Sequence, residues 1–165
     1  MSSTDELLRS AQRAERRDGL QRPAPPAKRV AIVACMDARL NLFHIFGLAE
    51  GDAHVIRNAG GVVTSDVIRS LAISQRLLGT EEIVLVHHTS CGMLSFTDDD
   101  FRREIEDETG IKPEWAAEAF DDLDGDVRQS IARIAASPFI PHKESVRGFV
   151  YDIATGALRE VTPAR

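Results

Sequence analysis

Apolar side chains recur along this chain in two rhythms, and the change from one to the other marks the elements. A dense β-branched run, Val-Ala-Ile-Val, falls between Arg29 and Ala34 and predicts a strand buried on both faces. Ala53 to Arg57 and Glu82 to His87 predict two more strands. Between them Val67, Ile68, Leu71, Ala72 and Ile73 line one side of a helix running to about Leu78, with Thr64 or Ser65 placed to cap it and Gly79 to stop it. The order strand, strand, helix, strand predicts parallel strands joined by crossovers. That is an α/β fold, a single domain with a mainly parallel central sheet flanked by helices.

The remaining segments are more polar. Thr97 to Thr109 is acidic, with Phe101 and Ile105 at helical spacing, and predicts a solvated helix; Asp126 to Ala136 predicts another. The tail alternates over Val146 to Tyr151 and Ala157 to Val161, which predicts two strands around a turn at Thr155-Gly156. At the other end, Asp5 to Leu20 reads as a helix with a thin apolar face (Leu7, Leu8, Ala11, Ala14), in need of a partner surface. The proline-rich stretch from Arg22 to Pro26 cannot continue it. Residues 1–26 are therefore expected to form a helical arm and linker, and residues 27–165 the domain proper.

Composition excludes several classes of function. A chain of 165 residues that is 43% hydrophobic supports one compact core. The formal net charge of −6 argues against nucleic acid as a partner and leaves small or neutral substrates. No apolar run approaches the ~20 residues of a membrane span. The opening Met-Ser-Ser-Thr-Asp-Glu lacks the pattern of a secretory signal. A cytoplasmic location away from membranes is the expectation. With only two cysteines there, metal or redox chemistry is favoured over a disulfide framework. The run Asp98-Asp99-Asp100 offers carboxylates for a cation, but acidic side chains at a helix start are already explained by the helix dipole.

Cys35 follows the first strand, and His88 with Cys91 follows the third. In open parallel sheets ligands bind outside the C-terminal strand ends, so these three side chains converge on one edge. Two thiolates and an imidazole suit tetrahedral zinc, and three protein ligands leave a fourth position open, as catalytic sites require. Taken singly, each has a plainer reading, as a loop histidine beside a small buried thiol or a cysteine of the core.

Their context narrows the choice. Cys35-Met36-Asp37-Ala38-Arg39, then Arg57-Asn58-Ala59-Gly60, then His88-Thr89-Ser90-Cys91-Gly92 resemble the motifs of β-class carbonic anhydrases, the shorter members in particular. That family carries Cys-x-Asp-Ser-Arg and His-x-x-Cys-Gly, and the resemblance spans roughly Arg29 to Gly92. It implies a zinc ion on Cys35, His88 and Cys91 and reversible hydration of carbon dioxide to bicarbonate and a proton by a zinc-bound hydroxide. It further implies that Asp37 orients the nucleophile. Arg39 would pair with Asp37 and keep it off the metal, and Asp37 would be a fourth zinc ligand in a closed form only. The plainer reading of the Asp37–Arg39 pair is a surface ion pair.

Two departures stand out: Ala38 replaces the usual serine, and His87 stands where a glycine commonly precedes the ligand histidine. Neither removes a ligand. The resemblance also implies a homodimer or homotetramer in which the N-terminal arm packs on the neighbouring subunit. His44, His54, His87 and His142 have the chemistry of proton carriers, although a solvated histidine is the plainer reading of each. Gly60 and Gly61 are expected to permit a tight turn by the site. Two other readings keep the same residues: hydrolysis of carbon disulfide or carbonyl sulfide at the same metal, or a non-catalytic zinc-binding module that Asp37 closes permanently. A redox role is weaker, since there is no Cys-x-x-Cys.

Overall fold

The computed structural model describes residues 2–13 and 23–162. Among them, five strands form one sheet in the order β2-β1-β3-β4-β5: β1 Val30–Cys35, β2 Ala53–Asn58, β3 Glu82–His88, β4 Val146–Tyr151 and β5 Leu158–Val161. The first four run parallel, and β5 returns antiparallel to β4. β1 lies between β2 and β3, so the chain reverses its direction of travel across the sheet beside β1. In parallel sheets that is where crevices form.

Alternation along the strands sorts side chains into two layers. Ala31, Val33, Ile83 and Leu85 face Val63, Val67, Leu71 and Ile134 in one. Ile32, Ala34 and Val86 join Leu40, Leu42, Met93 and the two cysteines in the other. The helices are α1 Ser3–Arg13, α2 Leu42–Phe46, α3 Ser65–Leu78, α4 Asp98–Thr109 and α5 Leu123–Ala136. Thr64 Oγ1 accepts from Val67 N to start α3, and Gly79, at φ 71°, ends it in the left-handed region, as its sequence predicts.

The boundaries differ from expectation in several places. The first three strands each extend one residue further, to Cys35, Asn58 and His88. α5 begins at Leu123, not Asp126, because Asp122 caps it by accepting from Asp124 N and the helix tolerates Gly125 in its first turn. The short α2, capped by Asn41 and closed by Gly47 at φ 60°, was not expected. α1 buries no side chain, consistent with its thin apolar face; the rest of the helix expected to reach Leu20 lies outside the described residues. No helix among the described residues is long and apolar enough to cross a membrane.

Candidate active site

β1 and β3 pair from Val30↔Glu82 to Ala34↔Val86 and then part, and the candidate ligands sit where they part. Cys35 ends β1, His88 ends β3, and Cys91 lies in the turn that follows; all three are buried. Their ligand atoms lie within 4.8 Å of one another, with the sulfurs 3.9 Å apart. Two thiolates at ~2.3 Å from a tetrahedral ion stand about 3.8 Å apart, so the sulfurs already have the required separation.

The state of the imidazole agrees. His88 Nδ1 lies 2.9 Å from the Thr89 carbonyl oxygen, which can only accept, so Nδ1 holds the proton and Nε2 keeps its lone pair. Nε2 is buried and has no hydrogen-bond partner. An uncompensated nitrogen in the interior is costly, and a metal ion within reach of both sulfurs would relieve it. The donor set and its geometry fit a zinc ion.

The three side chains also perturb one another's ionisation. The hydrogen bond between the thiols lowers Cys35 despite burial, with His88 helping; that same bond, together with burial, raises Cys91. The sulfurs are close enough to share a proton, and a cation bound by both would displace it. Burial opposes a charge on His88, but the neighbouring Cys35 and Asp37 raise its pKa overall.

Asp37 and Arg39 stand at the rim. Arg39 Nε donates to Asp37 Oδ1 at 2.9 Å and Nη2 to Oδ2 at 2.6 Å, a bidentate fork that holds the Asp37 carboxyl well below the usual carboxylate range. Nη2 also donates to the Ser90 carbonyl at 3.0 Å, joining the loop after β1 to the loop after β3. Asp37 Oδ2 lies 3.7 Å from His88 Nε2, so the carboxylate borders the place a fourth ligand would take.

Supporting residues emerge only from the structure. Arg57, quoted in the sequence as part of a motif, donates from Nε to the Cys35 carbonyl and from Nη2 to the Asp37 carbonyl, at 2.9 and 2.6 Å, and so shapes the turn that carries both. Gly61, at φ 73°, lies so close that a Cβ would fall 2.7 Å from Cys35 N. The expected tight turn is thus a close approach of backbone to backbone. Ser90 is left-handed at φ 56°, which local sequence did not signal.

The remaining candidates lie elsewhere. His44 and His142 are exposed, and His54 Nδ1 bonds Ser74 Oγ at 2.7 Å. His87, read as solvated, is fully buried, because its ring has a carboxylate partner in Asp126 and packs against Phe120. Asp98 accepts from Glu118 N and Ala119 N; Thr97 caps α4 by accepting from Asp100 N, and the Asp100 carboxylate accepts from Thr97 Oγ1 and pairs with Arg103. Asp98 and Asp100 of the acidic run are therefore engaged within the fold.

A parallel α/β sheet with a buried two-cysteine, one-histidine cluster at its parting strands, bordered by an aspartate–arginine fork, defines the class. The family described as carbonic anhydrase matches residues 30–124, and the chain belongs to it, in the β class. It is 66% identical to "Beta-carbonic anhydrase 1" of Mycobacterium tuberculosis over 141 residues, 86% of each chain. It is 32% identical to a "Carbon disulfide hydrolase" of Acidithiobacillus thiooxidans over 156 residues, covering 82% of this chain and 78% of that protein. The crystal structure of carbonic anhydrase from Streptococcus mutans superposes with a TM-score of 0.91 at 43% identity, covering 98% of this chain and 99% of that one.

Proposed function

We infer that this protein catalyses the reversible hydration of carbon dioxide to bicarbonate and a proton, with Cys35, His88 and Cys91 holding one zinc ion. The observation that carries this is the nitrogen His88 Nε2, buried and unpartnered beside two sulfurs 3.9 Å apart. A zinc ion at that point supplies Lewis-acid activation of a water molecule for attack on the electrophilic carbon.

The chain's own residues do the rest. The Thr89 carbonyl sets the tautomer and ring orientation of His88. Asp37, held ionised by Arg39, offers Oδ2 as an acceptor to the attacking water, which fixes where its lone pair points. Arg39 donates to the Asp37 carboxylate from Nε, Nη2 and its backbone N, so Asp37 gives up hydrogen bonds among these three to reach the metal. The closed form with Asp37 as a fourth ligand is the state that loss of this fork would permit.

The greater identity to the carbonic anhydrase favours carbon dioxide over carbon disulfide. We place the protein in the cytoplasm, where two free cysteines stay reduced and available to a metal. A homodimer is the favoured assembly. Supporting it is an apolar groove of about 820 Å³ between α3 and α5, flanked by exposed Ile73 and Phe139, besides the unburied Leu7 and Leu8 of α1.

Stopped-flow hydration on protein of measured zinc content tests the reading, with sulfide release from carbon disulfide assayed beside it. One zinc per chain and hydration that increases toward alkaline pH are expected. Zinc-loaded protein without hydration would sink the proposal, and sulfide release in place of hydration would reassign the substrate.

A further inference from the structure

His87 takes no part in the chemistry above, yet it is fully buried, with Nε2 2.6 Å from Asp126 Oδ2. Its ring also packs against Phe120, centroids 5.5 Å apart. Asp126 belongs to the first turn of α5 and is 11% exposed. The place of this pair in the sheet gives it meaning. β3 is laddered to β1 only as far as Val86, whereas toward β4 the pairing continues through His87 and His88. The final two residues of β3 are therefore held along one edge only, at the point where the strand delivers a ligand.

Neighbouring side chains of a strand leave opposite faces. His87 thus reaches α5 on one face while His88 presents its ring on the other. At 2.6 Å the hydrogen bond to Asp126 is short, and it grips the residue whose carbonyl begins the His88 peptide.

We propose that His87 and Asp126 are positioning residues for the metal centre: their buried tether between β3 and α5 holds the peptide from which His88 projects, in place of the ladder that β1 no longer provides. The proposal rests on Cys35, His88 and Cys91 being the zinc ligands.

Its test uses the full chain in zinc and cobalt(II) forms. Visible absorption of the cobalt form reads the ligand geometry, and transfer of zinc to a chromogenic chelator reads its rate of loss. Asp126→Ala should shift the cobalt bands and speed zinc loss about tenfold, the lower end of what outer partners of metal ligands contribute. His87→Gln, whose amide N–H reaches about as far as imidazole Nε2, should stay close to wild type. If Asp126→Ala does not fold, His87→Met, which fills similar space without a donor, decides by the same two readouts. A folded Asp126→Ala or His87→Met with wild-type bands and wild-type zinc loss overturns the tether and leaves the site intact. Wild-type protein that takes up neither metal overturns the site itself.

Discussion

Arg39 grips Asp37 beyond β1, and Arg147 grips Glu160 across β4 and β5, through nearly the same bidentate fork. The distances are 2.9 and 2.6 Å in the first and 2.8 and 2.7 Å in the second. Both carboxyls are held below their ordinary values, in each case chiefly by the arginine's hydrogen bonds. Their surroundings separate them. Glu160 is 47% exposed, and Arg147 lies over the Phe149 ring in open solvent. Asp37 is 17% exposed, faces a buried imidazole, and shares its arginine with the loop that carries Cys91. An ion pair acquires a role from what it borders, not from its own geometry.

Asp37→Asn should produce the largest effect of the three changes that probe this contrast. Zinc should be retained while hydration falls about 10–100-fold, read by metal analysis and stopped flow on the same sample. Wild-type turnover would make Asp37 equivalent to Glu160 and erase the distinction.

Arg39→Lys should come next. An ammonium group cannot span both Asp37 oxygens and the Ser90 carbonyl, so hydration should fall roughly tenfold. Freed from the fork, Asp37 should become a competitor for the metal. Cobalt(II) spectra with an added oxygen ligand would show it, and unchanged spectra would count against the closed form.

Glu160→Gln should leave hydration untouched. Because the Glu160 pKa is depressed in the folded protein, any stability from its ion pair is present above the ordinary glutamate value of about 4.3 and is lost as pH falls through the depressed value. The variant's urea midpoint should therefore differ from wild type at neutral pH and converge with it in acid. A drop in hydration would mean that the sheet edge communicates with the site.

What could be read from sequence follows from the range of the forces involved. β1 and β3 are legible because burial on both faces leaves continuous apolar runs, and α3 because Thr64 and Gly79 bracket it locally. The clustering of Cys35, His88 and Cys91 is legible because residues able to bind metal come in few chemical types and parallel strands deliver them to one end. Illegible are contacts made by backbone atoms far along the chain. Arg57 acts on two carbonyl oxygens and Arg39 on a third, which no side-chain pattern records. The start of α5 at Leu123 was missed because Gly125 is a poor helix former in its first turn, although Asp122 caps it. His87 looked like a solvated imidazole because its partner stands 39 residues away.

The 3.9 Å between the sulfurs carries a practical consequence. A covalent bridge forms at about 2.05 Å, a short slide from where the two atoms rest. If an ion held there were stripped in air, oxygen could oxidise the pair to cystine, and apparent inactivity would then record the history of the sample rather than the capacity of the fold. Chelation done under reductant, with thiols counted before the ion is returned, keeps those two situations apart.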